Sequence, residues 1–210
     1  MQNTLEWIQT KNLVPYEEAL TFMSERVAGI IEGDKSEAIW LLEHPPIYTA
    51  GTSSESQDLL NATKFPVYQT GRGGQYTYHG PGQRIAYILL NLKKRNMQDV
   101  RLFVTKLEQL IINIIAHYGL SGKTYKDRVG VWVLDKNGNE KKIAAIGIRI
   151  KKWVTYHGIA INVFPNLADF SGIVPCGIKE FGVTSFADLG IDISLAELDK
   201  LFKQEFEKIF

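Results

Sequence analysis

A single cysteine, Cys176, lies between Pro175 and Gly177 in this 210-residue chain. A thiol at such a turn can present its sulfur to a pocket, whereas a cysteine placed for packing is more often found within an apolar helix or strand. The position predicts either a reactive nucleophile or an inert buried thiol. A metal site is disfavoured, because no second cysteine and no paired histidine spacing accompanies Cys176.

Lys142 is the candidate partner for that thiol. If residues 142–150 form one strand, alternation puts Lys142 on the same face as the alanine and isoleucines that follow at every second position. Lys141 would then share the opposite face with Arg149. A lysine on an apolar face can exchange protons with a neighbouring group when it is partly buried. The alternative interpretation is a strand-end lysine whose ammonium reaches solvent.

Residues 71–83 form a second candidate region, with five glycines and one proline in thirteen positions. This composition predicts a loop held between strands at 66–70 and 84–92. Its backbone N–H groups can approach a ligand oxygen closely, and Arg72, Thr77 and His79 add donors or a proton-transfer group. The spacing matches neither a Walker loop nor a dinucleotide fingerprint. A purely structural crossover remains the alternative.

The histidines carry less information. His44 and His117 are typical of an ordinary loop residue and a helix residue. His157 enters a strand, where it fits a satisfied core histidine as well as a site residue. A Cys-His-Asp protease arrangement is compatible with the composition, but no spacing favours it.

The apolar periodicity predicts the elements that must position these residues. Helices are expected at 15–32, from Asp99 to a glycine cap at Gly119, and at 194–209 with a Ser194/Glu197 capping box. Strands are expected at 38–42, 47–50, 66–70, 84–92, 129–134, 142–150 and 154–163. The pattern predicts an α/β fold with a mixed, largely antiparallel sheet covered by helices, in a single domain spanning residues 1–210.

Composition excludes several classes of function. The chain has 24 Lys plus Arg against 23 Asp plus Glu, so it lacks the basic excess of a nucleic-acid-binding protein. Its apolar windows are far shorter than the ~20 residues that a membrane-spanning helix needs. With one cysteine and no signal-like N-terminus, we expect a cytoplasmic protein that binds neither nucleic acid nor membrane.

Taken together, the motifs resemble those of the lipoyl(octanoyl) transferase family. Four occur in the family's order: RGGQYTYHGPGQ at 72–83, KIAAIGIR at 142–149, HGIAINV at 157–163 and IVPCGI at 173–178, followed by VTS at 183–185. EHPPIYTAG at 43–51 extends the match over most of the chain. Phe186 stands where leucine is expected, and residues 52–60 lack the basic residue that relatives often carry.

The resemblance implies the fold of biotin protein ligases and lipoate ligases, which is similar to that of class II aminoacyl-tRNA synthetases. It implies transfer of an octanoyl group, without a cofactor, from acyl carrier protein to a specific lysine of a lipoyl domain. The acceptors would be 2-oxoacid dehydrogenase E2 subunits and glycine cleavage H protein. Cys176 would carry the acyl group as a thioester, and Lys142 would stabilise its thiolate and move protons.

The same resemblance implies the residues that bind the substrate. A slot for the acyl chain is expected on two strands, beside the glycine-rich loop. The residues assigned to it are Arg72, Gly73, Gly74, Gln75, Tyr76, Thr77, Tyr78, His79, Ala145, Ile146, Gly147, His157, Gly158, Ile159 and Ala160.

Two other functions stay open at this point. An ATP-dependent lipoate or biotin ligase on the same fold would form an acyl-adenylate and would need no cysteine. A non-catalytic module would bind octanoate or a lipoyl domain without turnover. Because the expected protein partners are acidic, a local basic surface is also expected, at Lys141, Arg149, Lys151 and Lys152 or at residues 93–95.

Overall fold

A computed structural model of the chain describes residues 5–174 and 181–210. The helices in these ranges are α1 (Tyr16–Glu32), α2 (Val100–Ala116) and α3 (Leu195–Ile209), and none of them is long and apolar enough to cross a lipid bilayer. The strands are β1 (Glu6–Leu13), β2 (Ala38–Glu43), β3 (Ile47–Ala50), β4 (Val67–Gln69), β5 (Tyr76–His79), β6 (Gln83–Leu89), β7 (Val131–Leu134), β8 (Glu140–Lys151), β9 (Val154–Asn162) and β10 (Gly182–Val183).

The larger of two sheets has the order β1-β2-β6-β9-β8-β10, and β7 also pairs with β8. Its central pairs are antiparallel, whereas β1 runs parallel to β2 and β10 runs parallel to β8. A smaller sheet has the order β4-β3-β5, with one parallel and one antiparallel pair. The predicted mixed, largely antiparallel sheet with helices is confirmed.

Helices cover both faces of the larger sheet. In β2, Trp40 and Leu42 pack in the cluster that includes the apolar face of α1, whereas Ile39 and Leu41 belong to the cluster formed with α2 and α3. A central strand buried on both sides reads as a continuous apolar run, as residues 38–42 do. A third cluster of Tyr and Phe side chains lies under the smaller sheet.

The helix ends agree with the predictions, with one correction. Asp99 caps α2 by accepting hydrogen bonds from the backbone N–H groups of Arg101 and Leu102. Ser194 and Glu197 form the predicted capping box of α3. The prediction of Gly119 as the C-cap of α2 is wrong: the helix ends at Ala116, and Gly119, with φ of 74°, belongs to the turn that follows.

Sequence patterns missed three strands. β1 lies at the sheet edge and is mostly exposed, so it has no sustained apolar run. β5 lies inside residues 71–83, which we expected to be irregular throughout. Its tyrosines are buried because it pairs with β3 in the smaller sheet. β10 has only two residues and is set by its pairing with Lys141 and Lys142 rather than by its own sequence.

The capping box gives a first testable prediction. Ser194→Ala removes the acceptor for the Glu197 N–H group and should lower the free energy of unfolding by about 1 kcal/mol. Urea unfolding followed by circular dichroism measures this change. Ser24→Ala, on the exposed face of α1, is the control and should cause no such loss. An equal effect of both substitutions would contradict the role of the cap.

Candidate active site

A cavity of about 270 Å³ lies between the glycine-rich segment and strands β6, β8 and β9. Val129 lines it and is 43% exposed, so it marks the side that opens to solvent. Tyr87 and His79 line the same cavity and are almost completely buried. The site is therefore a pocket that extends from the surface into the core.

The glycine-rich segment is held against β8 by close backbone contacts. The Gly73 N–H group donates to the Ile148 carbonyl oxygen over 2.9 Å. A Cβ atom at Gly147 would lie 2.8 Å from Cδ of Arg72, and one at Gly51 would lie 2.1 Å from the Gly74 carbonyl oxygen. A side chain at Gly51 would collide with the Gly74 backbone, and one at Gly147 would displace the Arg72 side chain, so either would change the cavity wall.

A directional hydrogen-bond chain runs from this segment into the core. Nη2 of Arg72 donates to the carbonyl and hydroxyl oxygens of Thr49, both over 2.7 Å. Nδ1 of His79 is 2.7 Å from Oε1 of Gln83, whose amide nitrogen donates to Oδ1 of Asn162 over 2.9 Å. Since Gln83 Oε1 can only accept, His79 carries its proton on Nδ1. Nε2 of His79 then faces the Thr49 hydroxyl at 3.4 Å as an acceptor.

His44 is a buried part of this region, and its interpretation as an ordinary loop residue is wrong. It is completely buried, with Nδ1 2.6 Å from the Val14 carbonyl oxygen and Nε2 2.7 Å from the Tyr87 hydroxyl. The carbonyl can only accept, so Nδ1 donates and the Tyr87 hydroxyl donates to Nε2. Burial lowers the pKa of His44 to about 4 and raises the pKa of Tyr16 to about 12.

The other two histidines near the cavity are also held neutral. Burial, followed by the nearby His44, lowers the pKa of His79 to about 3. Burial and the positive charges of Arg72 and Arg149 lower the pKa of His157 to about 4. His157 has φ of 58°, a left-handed conformation that is uncommon for residues other than glycine. The histidines of this region are therefore uncharged near neutral pH, and the positive charge beside them belongs to Arg72.

Lys142 is 4% exposed, so the expectation that it faces inward is correct, but the alternation argument behind it is wrong. In β7, Val131 pairs with Ala144 and the next residue, Trp132, pairs with Lys142. Ile143 between them is therefore an extra residue in β8. Ile143 and Ala144 both pack in the cluster with α2. This β-bulge puts Lys142 on the cavity side with Ala145 and Gly147, away from Ala144.

The Lys142 ammonium has a carbonyl and an aromatic ring as neighbours. Nζ donates to the Val129 carbonyl oxygen over 2.9 Å and lies 4.6 Å from the centroid of the Trp132 ring. Lys142 also lines a second, small cavity of about 10 Å³, together with Thr77, Gln83, Ala145, Asn162, Phe170 and Val183. The amine therefore lies near the cavity opening, between the two pockets.

Arg128 is a cavity residue that sequence patterns did not indicate. Its guanidinium carbon lies 3.7 Å from the Tyr125 ring centroid and 4.0 Å from that of Phe181. Its Nη2 is 2.5 Å from Oε2 of Glu140. Tyr125 is close to Arg128 in sequence, but Phe181 lies far along the chain, so no local pattern could reveal the whole cluster. Two basic side chains, Arg128 and Lys142, thus lie on the same Trp132 ring.

The structure brings together most of the residues that the resemblance implied. Tyr78 does not line the larger cavity: its ring packs against Phe170 and its hydroxyl donates to Asp169. Cys176 lies outside the described residues, so its role as the nucleophile stays a prediction. Lining the larger cavity are Arg72, Gly73, Gly74, Gln75, Tyr76, Thr77, His79, Lys142, Ala145, Ile146, Gly147, His157, Gly158, Ile159 and Ala160.

Seven further lining residues were not predicted: Tyr16, Ser53, Ile85, Tyr87, Asp127, Arg128 and Val129. Tyr16 was expected only as part of the apolar face of α1. The sequence did contain an indication that Tyr16 is near a polar site, because a buried tyrosine hydroxyl needs a hydrogen-bond partner. The arrangement can bind an extended apolar group along small residues of β8 and β9, with an amine near the opening.

The sequence is similar to one protein family and to octanoyltransferases over almost its whole length. Residues 15–207 match the family model described as the lipoyl protein ligase A/B catalytic domain. The chain is 53% identical over 214 residues to an octanoyltransferase of Brucella melitensis, covering 98% of this chain and 81% of that protein. It is 51% identical over 205 residues to an octanoyltransferase of Wolbachia pipientis, covering 98% and 99% of the two chains.

Solved structures share the fold at low identity. A lipoate-protein ligase A bound with ATP matches with a TM-score of 0.69 and 15% identity, over 100% of this chain and 85% of that chain. A bi-partite lipoate protein ligase from Thermoplasma acidophilum, studied with its E2 lipoyl domain, matches with a TM-score of 0.68 and 17% identity, over 100% and 84%. The architecture is thus that of the lipoate protein ligases.

Because the buried histidines are neutral in the folded protein, we expect the free energy of unfolding to fall as the pH is lowered. The pKa of His79 is about 3 in the folded protein and 6.5 as its ordinary value, so below pH 6.5 only the unfolded chain takes up this proton. Stability contributed by neutral His79 is therefore lost as pH falls from about 6.5 toward 3. His79→Gln should reduce the pH slope of the unfolding free energy between pH 6 and 4 by about 1.4 kcal/mol per pH unit.

Urea unfolding at several pH values measures this slope. Thr49→Val is the control, because it removes a neighbour of His79 without removing a titrating group, and it should change stability but leave the slope as in the wild type. A His79→Gln variant with the wild-type slope would mean that His79 is already protonated in the folded protein.

Proposed function

Since the chain belongs to the lipoyl protein ligase A/B family and closely resembles octanoyltransferases, we propose that it is an acyltransferase of protein lipoylation that works through a Cys176 thioester. The donor is octanoyl-acyl carrier protein, and the acceptor is one lysine of a lipoyl domain. No cofactor takes part. The observation that carries the proposal is the buried Lys142 amine beside an apolar cavity, in a chain with one cysteine.

In the first half-reaction, the Cys176 thiolate attacks the thioester carbonyl while its proton resides on Lys142 as ammonium. The bond to the carrier sulfur breaks, the departing thiolate takes the proton from Lys142, and the octanoyl group is left on Cys176. Exchange of one thioester for another needs little driving force. The contacts of Nζ with the Val129 carbonyl and the Trp132 ring suit an ammonium at the start of this step.

In the second half-reaction, the neutral amine of the acceptor lysine attacks the acyl-enzyme. Lys142, now neutral, accepts a proton from the attacking amine, and Cys176 leaves as a thiolate. The products are the octanoyl amide and the starting ammonium–thiolate pair. Backbone N–H groups near Gly73, Gly147 or Gly177 are candidates for stabilising the oxyanion.

The described residues on both sides of Cys176 support the proposal that its thiol lies near Lys142. Phe170 precedes the segment and Val183 follows it, and both line the small cavity with Lys142. Val183 also pairs directly with Lys142 in β10. The Phe181 ring packs edge-on against Trp132 with ring centroids 5.6 Å apart. The Lys142 ammonium contacts the same Trp132 ring.

The acyl chain fits the part of the cavity made by β8 and β9. Gly147 pairs with Gly158, and Ala145 pairs with Ala160, so small residues face each other across two strands. Ile146 and Ile159 add apolar surface. At about 270 Å³ the cavity is below the ~300–1,000 Å³ of sites for drug-sized ligands, which suits a slender chain.

The partners follow from this reaction. The acceptors are the lipoyl domains of 2-oxoacid dehydrogenase E2 subunits and glycine cleavage H protein, and the enzyme works in the cytoplasm with neither nucleic acid nor membrane. The Thermoplasma ligase was studied with its E2 lipoyl domain, which supports a lipoyl domain as the kind of partner. An ATP-dependent ligase is the second candidate, favoured by the fold shared with an ATP-bound lipoate-protein ligase.

The acyl-enzyme provides the test. Incubation with octanoyl-acyl carrier protein, without ATP, should add one octanoyl group at Cys176, and intact-mass and peptide mass spectrometry detect it. Cys176→Ala and Cys176→Ser should show no adduct. Lys142→Ala should slow acylation by about a hundredfold or more, because proton transfer by a positioned group contributes about 10²–10⁴-fold.

Lys200→Ala is the control for Lys142. Lys200 is exposed on α3 and does not line the cavity, so its loss should leave acylation near the wild-type rate. A wild-type protein that gains no octanoyl group would contradict the thioester mechanism. Octanoylation of a lipoyl domain that requires ATP and survives loss of Cys176 would favour the ligase.

A further inference from the structure

Glu108 is a buried carboxylate that the proposed reaction does not use. It lies on the apolar face of α2 beside Leu107 and Ile111 and is 8% exposed. A carboxylate in such surroundings costs free energy unless it is hydrogen-bonded or paired with a positive charge. Oε1 of Glu108 accepts a hydrogen bond from the Gly130 N–H group over 3.2 Å.

The Glu108 hydrogen bond acts on the turn that holds Lys142. Gly130 follows Val129, whose carbonyl oxygen accepts the hydrogen bond from Nζ of Lys142 over 2.9 Å. The carboxylate and the ammonium therefore hold two consecutive residues of one turn. Gly130 has φ of 125°, and a Cβ atom there would lie 2.6 Å from the Ala144 carbonyl oxygen and 3.4 Å from Nζ, so the turn passes directly against the amine.

The two groups also interact through their charges. Burial raises the pKa of Glu108, while the Gly130 N–H group and the positive charge of Lys142 lower it. The other charged groups near this turn are Asp127, which also lines the cavity, and Arg128, which pairs with Glu140 on β8. Since Arg128 and Glu140 neutralise each other, Glu108 is the carboxylate of α2 placed to favour the ammonium form of Lys142.

We propose that Glu108 is a positioning residue for Lys142: its carboxylate fixes the turn at 129–130 that binds the ammonium, and its negative charge interacts favourably with that ammonium. The inference rests on the proposed function for its catalytic meaning. In that reaction, Glu108 favours the ammonium–thiolate pair from which the first half-reaction starts. It touches neither the thioester nor the acceptor lysine.

Glu108→Gln tests this role, because glutamine keeps an acceptor for the Gly130 N–H group and removes the charge. The ¹³Cε resonance of Lys142 is followed from pH 6 to 12 in ¹³C-lysine-labelled protein and is assigned by its absence in Lys142→Arg. In Glu108→Gln the resonance should titrate at a lower pH than in the wild type, by about half a unit or more. Glu207→Gln, on the exposed surface of α3, is the charge control and should leave the titration unchanged.

Acylation is the second readout. The alkaline limb of the pH–rate profile for octanoyl transfer to Cys176 should move to lower pH in Glu108→Gln, by the same shift as the resonance. A purely structural role of Glu108 would lower the thermal midpoint without moving either titration. Should Glu108→Gln fail to fold, Glu108→Met has a similar volume among apolar neighbours, and the same shift is expected.

The outcomes separate the two proposals. An unchanged Lys142 titration in folded Glu108→Gln or Glu108→Met overturns the role of Glu108, whether or not the protein is an acyltransferase. A wild-type protein that takes up no octanoyl group overturns the thioester mechanism, even if the Lys142 titration shifts as expected.

Discussion

The close approach of two backbones is the constraint on which the candidate site depends. Residues 71–75 lie against β8 through the hydrogen bond from Gly73 to Ile148. Gly147 leaves space for the Arg72 side chain, and Gly51, after β3, leaves space for the Gly74 carbonyl. Because the segment is fixed, Arg72 can reach Thr49 and begin the hydrogen-bond chain through His79. Widening this contact would therefore alter the cavity wall and the polar network together.

The cavity region combines neutral histidines with the basic side chains of Arg72, Arg128 and Lys142. The histidines at 44, 79 and 157 are neutral because they are buried, and each has a lowered pKa. Near the opening, by contrast, Lys142 and Arg128 lie over the face of Trp132. An apolar chain can lie along the small residues of β8 and β9, while a reacting group near the opening stays close to positive charge.

The sequence was sufficient for the helices and central strands, because their apolar residues repeat with the period of the element. It was insufficient for β1 and β10, which depend on pairing with neighbours rather than on their own apolar pattern. The same limit applies to the site. Motif order indicated most of the cavity lining, whereas the cluster around Arg128 also needs Phe181, which only the fold brings to it. Lys142 was predicted to face inward for a wrong reason, since strand alternation does not anticipate a bulge.

The bulge at Ile143 divides β8 into two parts with separate tasks. Before it, Lys142 is fixed by β7, β10 and the turn at Val129. After it, residues 144–151 pair with β9, and residues 145–147 line the cavity. Variation at Ala145 or Ile146 can therefore reshape the slot while the amine keeps its own set of contacts. Under the proposed function, the shape selectivity for the acyl group and the position of the reacting amine therefore depend on separate sets of residues.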